Sequence, residues 1–165
     1  MTLALIAAHD PNLLIGAQGG LPWHFKEDLR FFRKTTMGCP VIMGRGVFEE
    51  LGEKPLPGRT NLVLSKTRDY PETGVDVFRS LKAALDSVKD RETVFVIGGG
   101  QVYRETIRQA DELYITEIHA EYEGDTYFPE YRNDISSRWK ETWREDHPQF
   151  SFIHYRENQQ SLPLI

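Results

Sequence analysis

The sequence holds a single cysteine, Cys39, among 165 residues. An intrachain disulfide is excluded, and without a disulfide framework a reducing cytoplasmic compartment is expected. Nothing near Cys39 in the chain would activate it, so a structural thiol is expected rather than a nucleophile. Positive charge is short as well: 20 Lys and Arg stand against 25 Asp and Glu, for a net charge of -5. Nucleic acid is therefore not expected as the main partner, although a few placed cations suffice for a small anion. No apolar run approaches the length of a membrane span. The apolar start, Met1 to Ala8, lacks a basic leader and meets His9-Asp10-Pro11 at once, so neither a signal peptide nor a membrane partner is expected. His9, His24, His119, His147 and His154 show no metal spacing, and no Cys/His cluster exists, so no metal is expected. A Gly-x-Ser-x-Gly nucleophile motif, a Gly-x-Gly-x-x-Gly fingerprint and a Walker A loop are all missing. Repeats and breaks in composition are missing too. A single domain over 1–158 is expected, with 159–165 as a flexible tail.

What the chain does contain is a set of short apolar runs rich in β-formers: 3–8, 41–43, 62–64 and 94–97. They do not alternate with polar residues, which implies strands covered on both faces and a mostly parallel sheet. Helical patterns fall between them, at 27–35, at 81–88 with Ser80 as N-cap, and at 101–110 after three glycines. Such alternation reads as an α/β fold, a mostly parallel central sheet with flanking helices. Toward the end, 113–118 reads as a further strand. Trp139, Glu141 and Trp143, then Phe150, Phe152 and His154, alternate with their neighbours around His147-Pro148-Gln149, which predicts a C-terminal antiparallel hairpin closing one edge. The loop 10–24 carries Gly16, Gly19 and Gly20 among apolar residues. It suits either a mobile cover over a ligand or a packed Ω-loop.

Three constellations bear on chemistry. Asp28 precedes Phe31 and Phe32 at i+3 and i+4, positions that share a helix face. A carboxylate there either enters an apolar pocket, with its pKa raised by desolvation, or faces water at the start of its helix, stabilised by the macrodipole. The local pattern by itself favours water. Glu27 beside it is expected to face solvent. In the second, Val94-Phe95-Val96-Ile97 runs into Gly98-Gly99-Gly100 and then Gln101-Val102-Tyr103. This is either a plain strand-to-helix turn or a place where backbone and helix N–H groups meet a phosphate, and the three consecutive glycines tilt toward a ligand. In the third, Val41-Ile42-Met43-Gly44 leads to Arg45, which sits unfavourably at a helix start unless an anion binds. With Ser65 and Lys66 after the next strand, Arg45 forms either a scatter of surface charge or a site for a 2′-phosphate, favouring NADP over NAD.

The order of these motifs resembles dihydrofolate reductase, most nearly the bacterial chromosomal type. The residues that carry the resemblance are Ile15-Gly16, Leu21-Pro22-Trp23, Asp28, Val41-Ile42-Met43-Gly44-Arg45, Pro55-Leu56-Pro57-Gly58-Arg59, Ile97-Gly98-Gly99-Gly100 and Gly124-Asp125-Thr126-Tyr127-Phe128-Pro129. Each is weak alone, but together, in order and at family spacing, they are specific. The resemblance implies NADPH as cofactor, dihydrofolate as substrate, antifolates as inhibitors and a monomer. It implies that Asp28, Trp23, Leu21, Thr116 and Tyr103 form the catalytic group. Asp28 would hold the 2-amino group and N3 of the pterin, with Thr116 supporting it. Ile6, Ala7, Leu29, Phe32 and Ile97 would line the substrate pocket, and Arg59 would meet the substrate's α-carboxylate. Ala8, Ile15, Gly16, Ile97, Gly98, Gly99, Gly100, Gln101, Val102 and Tyr103 would contact nicotinamide and pyrophosphate, with a cis peptide at Gly98–Gly99. Gly44, Arg45, Gly46, Val47, Ser65 and Lys66 would meet the rest of the nucleotide. With Asp28 as the one ionisable group in the pocket, the proton for N5 would come from water.

The chain departs from that pattern at Val47, where Thr or Ser is usual, at Gly46, and at Gln101, which replaces a frequent Arg. Loss of one neutral hydrogen bond at Val47 would weaken cofactor binding by roughly 0.5–1.5 kcal/mol. Two rival readings remain on sequence alone: a related pterin- or flavin-pathway reductase, which would lack the pocket Asp, and a catalytically silent NADPH- or folate-binding module.

Overall fold

Strand β1 (Thr2–His9) lies at the middle of the sheet, hydrogen-bonded in parallel to β6 (Thr93–Val96) on one side and β7 (Glu112–Ile118) on the other. Its alternate residues serve two cores. Leu3, Leu5 and Ala7 join one buried cluster, and Ala4 and Ile6 join another across the sheet. This is why the run is apolar without a break. The computed structural model describes residues 1–16 and 20–158. Gly19 and the stretch 159–165, read from sequence as flexible, lie outside the described residues.

Between these strands the chain forms β2 (Leu14–Gly16), α1 (Lys26–Thr36), β3 (Pro40–Gly44), α2 (Arg45–Glu50), β4 (Thr60–Leu64), β5 (Asp76–Phe78) and α3 (Leu81–Ser87). After β6 come α4 (Gly100–Thr106), β7, β8 (Thr126–Tyr127), β9 (Trp139–Asp146) and β10 (Phe150–Glu157). The large sheet has the order β5-β4-β3-β6-β1-β7-β10-β9. Its pairs from β5 to β7 are parallel, and β10 and β9 close the far edge antiparallel. The expected α/β architecture with a C-terminal hairpin is thus the one observed. Helix α3 starts where Ser80 caps it, the Oγ accepting from the Ala83 N–H at 3.1 Å.

The hairpin differs from its alternating pattern. β10 is buried on both faces from Phe150 to Tyr155, whereas β9 is exposed after Trp139. The reason is position: β10 lies between β7 and β9 and is not an edge strand. A register shift between His154 and Tyr155 also interrupts the β9 pairing. Three short strands gave no sequence pattern: β5, and the pair β2 and β8, which form a separate two-stranded ladder. Their two or three residues are too few for a period to show.

That small ladder is fixed by Asp10, a carboxylate with 0% exposure. Its Oδ1 accepts from the Asn12 and Leu14 N–H groups at 2.8 and 2.9 Å, and its Oδ2 from the Tyr122 N–H at 3.0 Å. The turn it closes places Leu13 at φ 67°, a costly conformation for a branched side chain. Leu13, Leu14 and Ile15 are all buried, so this part of the 10–24 loop is packed. Asp10→Asn would put amide donors where the carboxylate accepts from three N–H groups. The expected loss is about 1–3 kcal/mol of stability, read from urea denaturation, with hydrogen exchange accelerated most at the Leu14 and Tyr122 amides. Unchanged stability and exchange would show that the carboxylate does not hold this corner.

Candidate active site

The sheet opens where β1 and β7 diverge from α1, and Asp28 stands in that opening. Asp28 lies in the first turn of α1, and Thr116 lies opposite Ala8 in the β1–β7 register. The Thr116 hydroxyl donates to Asp28 Oδ1 at 2.7 Å, bridging helix and sheet. Burial pushes the Asp28 carboxyl above its ordinary pKa, and the Thr116 hydrogen bond offsets only part of that. Glu27 points to solvent. Asp28 therefore takes the less favoured of its two local readings. The reason is tertiary: Phe31 stacks on Phe152 with ring centroids 4.3 Å apart, and Phe32 packs on the core under β3, which turns their shared face inward.

Asp28 and Thr116 form part of the wall of a cavity of about 290 Å³. Ile6, Ala7, Ala8, Ile15, Gly16, Leu21, Leu29, Phe32, Val47, Ile97, Gly98, Gly99 and Tyr103, all named from sequence, line it too. Leu21 and Leu29 are largely exposed at its mouth. Tyr103 is there for packing: its buried hydroxyl donates to the Ile6 carbonyl at 2.6 Å, and burial holds the phenol far from ionisation. Two expected residues do not reach the wall. Trp23 is buried beneath it against Ile118, Phe150 and Phe152, edge-on to Tyr122. Arg59 lies beyond Leu56, donating to the Pro57 carbonyl and the Thr36 hydroxyl at 2.9 and 3.1 Å. Burial and the nearby Arg33 lower its pKa.

Sequence reasoning missed Gly20, Glu50, Leu51, Leu56 and Thr126 as wall residues. Glu50 matters most, because it corrects the expectation of one ionisable group in the pocket. The signal was present in its i+3 spacing from Val47, which places both on one face of α2. Thr126 arrives through the β2–β8 ladder, which no sequence period marked.

A second chamber of about 700 Å³ opens at the C-terminal ends of β3, β4 and β6, the usual place for a ligand in a parallel sheet. Gly44, Arg45, Gly46, Val47, Ser65, Lys66, Gly99, Gly100, Gln101 and Val102 line it as expected, joined by Thr67, Arg79, Ser80 and Glu105. The Gly44 N–H donates to the Gly98 carbonyl at 2.8 Å, locking the two strand-to-helix turns together. The Gly98–Gly99 peptide is cis, and Gly98 has φ 122°. A Cβ at Gly100 would meet Thr126 Cγ2 at 3.0 Å and the Tyr127 carbonyl at 3.3 Å, so any larger residue there is crowded. Helices α2 and α4 begin without side-chain caps. Their first N–H groups face a groove that also holds Lys66 and Arg79. Arg45 lies 3.5 Å from Glu49, half exposed and able to turn. Backbone donors, a close approach and cations together suit a phosphorylated ligand.

The two chambers share Val47, Glu50 and Gly99. Two joined chambers of this kind would set a phosphate-bearing ligand beside a second ligand held by the half-buried Asp28, the layout of a nucleotide-dependent reductase. The family model described as dihydrofolate reductase matches residues 2–157. The dihydrofolate reductase type 3 of Salmonella typhimurium is 47% identical over 148 residues, covering 90% of this chain and 89% of that protein. The dihydrofolate reductase of Neisseria meningitidis serogroup B is 40% identical over 161 residues, covering 94% and 98%. The structure of the Enterococcus faecalis dihydrofolate reductase complexed with NADP(H) and RAB-propyl superposes with a TM-score of 0.85 at 36% identity, covering 96% and 97%. The chain belongs to the dihydrofolate reductase family.

The desolvated, half-buried carboxyl of Asp28 has a consequence for stability. Asp28 keeps its proton to higher pH in the folded than in the unfolded chain, so the fold resists its ionisation. Stability then falls as pH rises through the carboxyl range. Asp28→Asn removes that cost and can still accept from Thr116. The unliganded variant is expected to melt higher than wild type at neutral pH, with the gap closing below the ordinary carboxylate pKa. A lower melting temperature at neutral pH would contradict this.

Proposed function

We propose that this chain uses NADPH to reduce 7,8-dihydrofolate to 5,6,7,8-tetrahydrofolate, as part of tetrahydrofolate and one-carbon metabolism. The observation that carries the reading is Asp28, a half-buried carboxylate in the wall of a cavity that shares Val47, Glu50 and Gly99 with a phosphate-suited groove. A silent binding module would have no need of a carboxylate kept at a cost to stability, and a flavin-pathway reductase would lack it. The groove fits the nucleotide: glycine backbone at Gly98 to Gly100, cations at Arg45, Lys66 and Arg79, and the Ser65 hydroxyl.

Bound NADPH supplies the hydride, delivered to pterin C6. Asp28 accepts from the 2-amino group and N3 of the pterin, and Thr116 fixes its orientation. Ile6, Ala7, Phe32 and Ile97 hold the ring and exclude water. Tyr103 secures the end of β1 through the Ile6 carbonyl. Arg59, one turn past the wall residue Leu56, meets the substrate's glutamate carboxylate at the mouth. The charge on Asp28 acts through a low-dielectric wall to raise the basicity of N5, which takes its proton from water. Trp23, buried under the cavity, supports the wall from behind. Planar antifolates with an amino-substituted edge compete at Asp28. We further propose one domain over 1–158, a monomer, and a cytoplasmic location. Among the described residues no helix is long and apolar enough to cross a membrane.

Two experiments test this. Asp28→Asn should fold but lower turnover of dihydrofolate at neutral pH by roughly 10²–10⁴-fold, with partial recovery in acid, where solvent protonates the substrate. A near-wild-type rate at neutral pH would remove Asp28 from the chemistry. NADPH should bind roughly tenfold or more tightly than NADH, since the 2′-phosphate gains charge-assisted hydrogen bonds from Arg45 and Lys66. Equal affinities in titration would refute that assignment.

A further inference from the structure

Glu50 is the one charged residue lining both chambers. Its neighbour Glu49 is engaged elsewhere: its Oε1 lies 3.5 Å from Arg45 and accepts from Arg68 at 2.9 Å and the Tyr70 hydroxyl at 3.0 Å. Glu50 has no ion pair or hydrogen bond with any described residue. It also ends α2, where the negative pole of the helix disfavours an anion. Glu50 is exposed, with modest desolvation raising its carboxyl above the usual range. No described residue neutralises its charge, so that charge is available to whatever lies beside it.

What matters is what passes it. Val47 and Glu50 on α2 and Gly99 line both the groove and the ring cavity and so mark their junction. A dinucleotide lying in both chambers must run past them, with its nicotinamide end on the cavity side. We propose that Glu50 is a specificity-determining residue for the redox state of the cofactor: its negative charge favours the positively charged oxidised nicotinamide over the neutral reduced one. The proposal rests on the reductase reading above. The phosphates are the same in both forms, so their repulsion by Glu50 cancels in the ratio of the two affinities. Only the ring charge remains in that ratio. The same charge helps the reduction, because positive charge grows on the ring as the hydride leaves. The accompanying effect is tighter retention of the spent cofactor.

The test is the ratio of the NADP⁺ and NADPH dissociation constants, measured by titration calorimetry for wild type, Glu50→Gln and Glu50→Lys. Glu105→Gln serves as control, because Glu105 lines the groove and not the ring cavity. Glu50→Gln should weaken NADP⁺ relative to NADPH by roughly three- to tenfold, the size expected for unit charges several ångströms apart in a partly wet site. Glu50→Lys should shift the ratio further in the same direction. Glu105→Gln should move both affinities together and leave the ratio alone. If both forms bind and neither Glu50 variant moves the ratio, the proposal fails and the reductase reading stands. If wild type binds neither form, both fail.

Discussion

The parallel pairing of β1 with β6 and β7 constrains the rest of this molecule. It buries β1 on both faces and forces the connections to cross over with helices. It also brings the ends of β1, β3, β4, β6 and β7 to the same edge of the sheet. Backbone groups at those ends lose their strand partners together, and α1 and α2 cannot cover all of them. The opening that results is polar at its rim and apolar within. Asp28, the glycine turns and the cations all border that one opening, so chemistry and cofactor binding follow from a single topological fact.

Carboxylates in this fold have two fates. Asp10 and Glu49 lie outside the two chambers, engaged by backbone N–H groups or by cations and a tyrosine hydroxyl, and they serve structure. Asp28 has only the Thr116 hydroxyl, and Glu50 has no partner among the described residues. An acceptor with spare capacity at a cavity wall is free to take a donor or a cation when a ligand arrives. The functional carboxylates are recognisable by what they lack. Their environments also differ: Asp28 lies half-buried in the cavity wall, whereas Glu50 stands at a junction open to solvent.

Much of this was legible in the sequence. The unbroken apolar runs at 3–8, 41–43, 62–64 and 94–97 announced a sheet covered on both faces, and Ser80 announced the start of α3. The residues around Gly44 and Gly98 lie at strand ends because apolar runs stop there. Asp28 was harder. Its helical spacing from Phe31 and Phe32 marked a shared face but could not say whether that face turned inward, since Phe152 and β3, which decide it, lie far away in sequence. Glu50 was only half legible: its i+3 spacing from Val47 marked one face of α2, but a Glu at the end of a short helix looks like solvated charge until the Gly98–Gly100 turn is placed nearby. The β2–β8 ladder depends on hydrogen bonds to one carboxylate, which leave no period to detect.

Gly46 and Gly100 both border the cofactor groove but differ in the room around them. A Cβ at Gly100 would be crowded by Thr126 and the Tyr127 carbonyl, whereas a Cβ at Gly46 would meet nothing within 4 Å. Position 46 is thus an open door for sequence drift. A polar residue can be added there without repacking the fold or disturbing the ring cavity. Cofactor affinity in this lineage can change by single steps at the rim, while the cradle itself stays frozen.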